Sequence, residues 1–385
     1  MLPVLVASLL AYQDAPRLKI ELPNRAHVFV ERFDKAKLCA VHLVASSRGV
    51  EEKPATHGWR HLLEHLLVKG RRGSLDKDLE SQGLFLRAQT YRDYMVVSIE
   101  GPNNRIDRAL DAIAEVLQPV QTTPDAIGQE VKLIASELAI YPDSASLSST
   151  AWTQAYGESG LDPQGNPETM LKATPADLVE LQKRHFAPRN VVLAVCGDFD
   201  VDRIASRARK LVGSLPDQAA ASWQDRNALP AGRADSEGAF GELRAVSVPG
   251  CLSPETAASI AAAMAICSLN RDFSMTYTLT NRKGLISVSQ TASNSGLGLA
   301  IDSLDQDERS ALFEIGRRYA MAWVQTLLQD PSSHTRLRAI LIATGSTGMP
   351  EEVLDNLQRL SRSDFLGAFA KFAGDRCTIV SGGSR

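Results

Sequence analysis

The stretch NVVLAVCGDFD, residues 190–200, is apolar without interruption from Val191 to Cys196 and is closed by Gly197 and Asp198. A strand with no polar alternation is the signature of a buried, central place in a sheet. The chain must therefore supply neighbouring strands and covering helices. Upstream, LKIELPNRAHVFVERF and KLCAVHLVASSRG alternate apolar and polar residues as two half-buried strands would. HGWRHLLEHLLVKG sets Leu62, Leu63, Leu66 and Leu67 on one side of a helix, with Thr56 as its expected cap and a stop at Gly70. SLDKDLESQG reads as a helix, LFLRAQTYRDYMVVSIEG as two strands with a turn at Tyr91 to Asp93, and Ile106 to Leu117 as a further helix. TPDAIGQEVKLIASELAIY is an amphipathic helix, TPADLVELQKRHF opens another with Thr174 as cap and Pro175 behind it, and VDRIASRARKLVGSLP gives one more.

Strands and helices in this order make an α+β pattern, a sheet with helices gathered on one face. From 215 to 240 the text turns rich in Ala, Pro, Asp and Gly and loses its period, as a linker does. From 241 to 385, LRAVSVP, SPETAASIAAAMAICSL, GLISVSQTA, a long helix over about Glu308 to Leu328 and RCTIVSGG repeat the grammar of the first part. The expectation is two related halves, 16–214 and 241–385, each a mainly antiparallel sheet with helices packed on one face.

With 42 Lys+Arg against 45 Asp+Glu, the formal charge of −3 gives no global field toward phosphate backbones, so nucleic acid is not an expected partner. The five cysteines are scattered, without a CxxC, and read as buried thiols. Leu2 to Ala11 resembles the hydrophobic region of a secretory signal, which favours export, periplasmic rather than cytoplasmic, over a packed N-terminal arm in segment 1–15. No later stretch reaches the roughly 18–20 apolar residues of a membrane span, so no integral membrane segment is expected in the mature chain.

His61, Glu64 and His65 are spaced i, i+3, i+4, so one helical face presents all three. Two imidazoles one turn apart suit a single Zn²⁺, which needs a third protein ligand and an open position, and Glu64 stands where a base belongs. The order H-x-x-E-H is the inverzincin motif. The competing reading is a wet helix face that happens to carry His and Glu. Glu130 and Glu137, seven apart, share a side of the next amphipathic helix. One carboxylate would complete the metal and the other would support a ligand from behind; alone, they equally describe a charged helix face.

Together these segments resemble the pitrilysin or insulinase-type zinc peptidases, in particular the shorter members related to the mitochondrial processing peptidase. HGWRHLLEHLLVKG is similar to the family's zinc helix. LESQGLFLRAQTYRDYMVV, with Gly83, Ala88 and Thr90 in matching places, is similar to its following strand, and QEVKLIASEL to the segment that supplies the glutamate ligand. TPADLVELQKRHFAPRNVVLAVCGDFD resembles the end of the family's first half. The resemblance implies one Zn²⁺ per chain held by His61, His65 and Glu137, with Glu130 in support and Glu64 as general acid and base for peptide hydrolysis. It also implies an extended peptide added to a sheet edge along Leu84, Phe85, Leu86, Arg87 and Ala88 toward Thr90.

Two departures matter. Arg87 stands where the family usually has Asn. The second half normally contributes an Arg and, seven residues later, a Tyr, but here Thr280 and Ser287 occupy those places; Arg282 nearby has Ser289 seven beyond it. The resemblance therefore implies the zinc-bearing member of a two-subunit peptidase, a homologous subunit supplying the missing pair in a heterodimer, with a homodimer as the other arrangement. The alternatives are a non-catalytic assembly subunit of the same fold and a different hydrolase using the same ligands.

Overall fold

The computed structural model describes residues 16–47, 52–71, 73–216, 224–291 and 296–383. The candidate signal 1–15 and part of the 215–240 stretch lie outside them. In chain order the elements are β1 (Arg17–Glu21), β2 (His27–Arg32), β3 (Leu38–Ser46), α1 (Trp59–Lys69), α2 (Leu75–Glu80), β4 (Phe85–Thr90) and β5 (Tyr94–Pro102). There follow α3 (Ile106–Val116), α4 (Pro124–Ala139), α5 (Asp143–Tyr156), α6 (Pro167–Met170), α7 (Pro175–His185), β6 (Val191–Gly197) and α8 (Val201–Gly213). Next come β7 (Arg233–Ser236), β8 (Glu242–Val248), α9 (Pro254–Cys267), β9 (Phe273–Thr276) and β10 (Gly284–Gln290). The chain closes with α10 (Leu297–Asp302), α11 (Gln306–Ala311), α12 (Phe313–Gln329), α13 (Pro331–Ala343), α14 (Glu352–Gln358), α15 (Arg362–Lys371) and β11 (Thr378–Gly382).

The fold is α+β with two mixed, mainly antiparallel sheets. The first has the order β1-β2-β6-β3-β5-β4 and the second β7-β11-β8-β10-β9. In the first only β2 and β6 run parallel, and in the second only β7 and β11. Setting β1 aside, the two sheets share one strand order and one place for the parallel pair. The apolar run 191–196 is β6, wedged between β2 and β3 with Leu193 opposite both Val28 and Leu43. Its residues are buried throughout.

By their contacts, β1–β6, α1–α4, α6–α8 and α13 form one compact unit; β7–β11, α5, α9–α12, α14 and α15 form the other. On one face of the first sheet, Val28, Val30, Leu43 and Val97 pack with Leu63 and Leu67 of α1, Leu75 and Leu79 of α2, Leu110 of α3 and Ile204 of α8. On its other face Phe29, Val44, Val96 and Val192 meet Ala339, Ile340 and Ile342 of α13, and the Arg338 guanidinium lies 4.8 Å from the Phe29 ring centroid. The second sheet receives α5: Leu147, Ala151 and Ala155 pack on Leu243, Ala245 and Val380, and Tyr156 Oη donates to Gly284 O at 2.8 Å. Each unit thus takes one helix from the other half of the sequence.

Three local expectations change. Thr56 lies in a 3₁₀ turn, Pro54–Thr56, and the residue capping α1 is Gly58 at φ 93°, a left-handed conformation that glycine adopts without strain. The 215–240 stretch contains the short strand β7. The helix read over 308–328 is interrupted at Leu312, which separates α11, opened by a capping box between Asp305 and Glu308, from α12. Helix α5, poor in large apolar residues, was not read from the sequence at all.

Candidate metal centre

Helix α1 enters through a buried ion pair. Glu52 accepts from Gly58 N and from Arg60 Nε, both at 2.8 Å, and Arg60 also donates to Tyr91 O at 2.9 Å and to Ser47 Oγ. Arg60 is 2 % exposed, so its charge depends on these partners. With Leu63 and Leu67 in the core, the i, i+3, i+4 spacing brings His61, Glu64 and His65 out together. The two imidazoles lie 4.9 Å apart, centroid to centroid, edge to face.

Each side chain is held by a different element. His61 Nδ1 is 3.0 Å from Gln164 O. A ring nitrogen that donates to a carbonyl fixes the tautomer in which Nε2 carries the lone pair. The loop bearing Gln164 is tied to α1 by Asn166 N to His57 O at 3.3 Å and Trp59 Nε1 to Thr169 O at 3.0 Å. Gly165 lies backbone to backbone on Gly58, so close that a Cβ on Gly165 would fall 2.0 Å from Gly58 Cα. His65 Nδ1 faces Glu130 Oε2 at 3.5 Å, and the other Glu130 oxygen pairs with Lys69. Glu64 Oε2 accepts from Thr90 Oγ1 at 2.6 Å.

Glu137, two turns along α4 from the buried Glu130, is brought to the imidazoles: one donor atom each from His61, His65 and Glu137 all lie within 4.8 Å of one another. The division between units falls just before Glu137, but α4 is one unbroken helix and carries the carboxylate as an extension of the first unit. Tetrahedral zinc with ligands at about 2.0–2.3 Å sets its donor atoms roughly 3.5 Å apart, which small side-chain rotations reach from here. Two imidazoles, a carboxylate and carbonyl or carboxylate partners behind both rings are a donor set that fits Zn²⁺.

Beside the centre, β4 is an edge strand with Ala88 opposite Val97. Phe85 and Arg87 are exposed, Leu86 and Ala88 half-buried, and Leu84, just before the strand, is wholly buried in the core. In the second unit Thr280 and Ser287 are buried, and Ser287 Oγ is 3.5 Å from Thr276 O. Arg282 pairs with Asp225 at 3.4 Å, and Ser289 bonds Ser274 at 3.1 Å. No arginine and tyrosine stand at those aligned places. Helix α9, which takes the place of α1 in the second sheet's order, is almost entirely buried Ala, Ile, Ser and Thr and carries no histidine and no H-x-x-E-H within its span.

Sequence reasoning missed Glu52, Arg60, Gln164 and Gly165. Gln164 acts through its backbone and leaves no side-chain signal, and the Glu52 and Arg60 pair is a property of the folded chain. Of the other histidines, His42, His185 and His334 are buried, and burial pushes His42 and His185 down to about 3. Burial likewise pushes all five thiols up to about 11 or 12, as inert buried cysteines require.

Residues 27–164 match the family described as "Insulinase (Peptidase family M16)" and residues 172–248 the one described as "Peptidase M16 inactive domain". The chain is 26% identical over 213 residues to the "Probable mitochondrial-processing peptidase subunit beta" of Arabidopsis thaliana, covering 52% of this chain and 40% of that protein. It is 23% identical over 231 residues to "Cytochrome b-c1 complex subunit 1" of Bos taurus, covering 57% and 46%. The chain thus spans less than half the length of these curated relatives. Among solved structures, a protease from Helicobacter pylori superimposes with a TM-score of 0.79 at 17% identity, over 95% of this chain and 99% of that one, which speaks to fold. With the two family matches together spanning more than half its length, the chain belongs to the insulinase family of peptidases, family M16.

Proposed function

We propose that this chain is a zinc-dependent endopeptidase acting on extended peptides, and that it is the zinc-bearing subunit of a two-subunit enzyme. The observation that carries the reading is the convergence of His61, His65 and Glu137, with Glu64 beside them. A zinc ion held there supplies Lewis acidity, acidifying water and polarising the peptide carbonyl. Glu64 accepts the proton of the attacking water and returns it to the departing amine, and Thr90 orients its carboxylate through the other oxygen. Gln164 O and Glu130 hold the two imidazoles from behind. The edge of β4 pairs with the peptide backbone and leads it toward Glu64.

The second half offers no arginine and tyrosine at the places where the family's substrate-holding pair aligns, so a homologous partner chain supplies it, with a homodimer as the other arrangement. The alternative of a non-catalytic assembly subunit is favoured by the similarity to a cytochrome b-c1 subunit, and is opposed by the intact donor set. The test is metal content beside activity. The purified chain should hold one zinc, and His61→Ala, His65→Ala and Glu137→Ala should lose it. Glu64→Gln should keep the zinc and lower peptide turnover about 10²- to 10⁴-fold, assayed with the homologous partner present. A chain that takes up no zinc even when zinc is added would refute the reading, and zinc without turnover in any pairing would favour the assembly role.

A further inference from the structure

The outward face of β4 carries an exposed cation that makes no hydrogen bond and no ion pair among the described residues. Side chains alternate along a strand. Leu86 and Ala88 turn toward the core, while Phe85, Arg87 and Gln89 face the other way and are exposed. The register sets Arg87 opposite Ser98 and Phe85 opposite Glu100. Both neighbours are engaged: Ser98 Oγ is 2.8 Å from His42 Nδ1, and Glu100 accepts from Ser332. Among the described residues Arg87 makes no hydrogen bond and no ion pair. A second cation lies close by. Arg336 of α13, half-buried and also without an ion pair among the described residues, acts electrostatically on Tyr91 and His42, and the Tyr91 hydroxyl bonds Gln89. Arg336 thus lies within electrostatic reach of the Tyr91 hydroxyl that bonds Gln89, two residues along the open edge strand from Arg87.

We propose that β4 selects extended peptides carrying an acidic side chain at the position that faces Arg87, with Arg336 strengthening the preference. This rests on the reading of β4 as the edge that receives substrate. A strand added to β4 would set one side chain on the same face as Arg87, about 5 Å away between Cβ atoms, where an opposite charge is favourable and a like charge is not. Arg87 stands three residues, about 10 Å, from Thr90, the residue that holds Glu64. The acidic position accordingly lies about three residues from the peptide unit beside Glu64, on the side set by the direction of pairing.

The experiment uses the full chain with Glu64→Gln, so that bound peptides survive. Fluorescein-labelled ten-residue peptides of Ala, Ser and Leu, with one Glu or one Lys moved through each position, are titrated by anisotropy. At one position the Glu peptide should bind about 5-fold more tightly than its Lys counterpart, and the difference should shrink at 0.5 M salt, an ionic strength at which exposed charges are screened within about 4–5 Å. Arg87→Glu should invert the preference and Arg336→Gln should reduce it; both side chains lie outside the core, so both variants should fold, checked by circular dichroism. Equal affinities at every position, no binding of either series, or a preference unchanged in Arg87→Glu would overturn the proposal. Absence of cleavage by the unmutated chain with its homologous partner present, with the binding preference intact, would count against the peptidase reading alone.

Discussion

Gly165 matters for what it lacks. A methyl group there would fall 2.0 Å from Gly58 Cα, and the loop would have to withdraw, taking with it the Gln164 carbonyl that sets the His61 tautomer. Gly165→Ala should therefore weaken zinc binding about 10- to 100-fold, measured by competition with a chromophoric chelator. Gly128→Ala, on α4 where a Cβ meets nothing within 4 Å, should leave affinity unchanged; wild-type affinity in Gly165→Ala would show that the carbonyl does not orient the ring. At this scale the sequence was readable where chemistry lives in side chains at helical spacing, as for His61, Glu64 and His65. It was silent on Gln164, Gly165 and the pair Glu52 and Arg60, whose roles arise from backbone atoms and from segments far apart in the chain.

Helix α13 docks through a buried polar layer as well as through Ile340 and Ile342. His334 Nδ1 lies 3.3 Å from Glu31, Thr335 donates to the same carboxylate at 3.2 Å, and Ser332 reaches His42 at 3.2 Å. His42 and His185 sit near 3 in the fold against 6.5 for a free imidazole, so between those values the unfolded chain binds more protons than the native one. Their contribution is thus fully present above about pH 6.5 and is lost as pH falls toward 3, at up to about 1.4 kcal/mol per pH unit for each ring. Urea denaturation from pH 7 to pH 4 should show this slope, and His42→Gln should reduce it by one ring's share; an unchanged slope would mean that His42 binds its proton alike in the folded and unfolded chains. The uninterrupted apolar run of β6 implied cover on both sides. It did not say that one cover would be a helix some 140 residues downstream, because periodicity identifies a buried face and not its occupant.

For the whole molecule, α5 follows α4 and α13 follows α12, and each of these following helices packs on the sheet built by the other half of the chain. The repetition of strands and helices was legible as two passages of the same grammar; the strand order and the exchange were not, since a linear boundary near 215–240 is the simplest cut through the text. One expected outcome separates the two pictures. A fragment of residues 16–216 would leave Phe29, Val44, Val96 and Val192 without α13, and should bind ANS and aggregate. Co-expression with residues 224–383 should restore a soluble complex, assessed by size-exclusion chromatography. A monomeric fragment with cooperative unfolding and no dye binding would show that α13 is dispensable to the first unit.

The position of α13 also sets a timetable for biosynthesis. Ribosomes extend a chain at about 5–20 residues per second, and α13 is the last element of the first unit to emerge. For many seconds the nascent protein carries a finished valine-rich sheet with no lid, the kind of transient species that chaperones shelter. A metal ion captured in that interval would meet an unfinished first unit, so completion of that unit waits on translation of the second half of the chain.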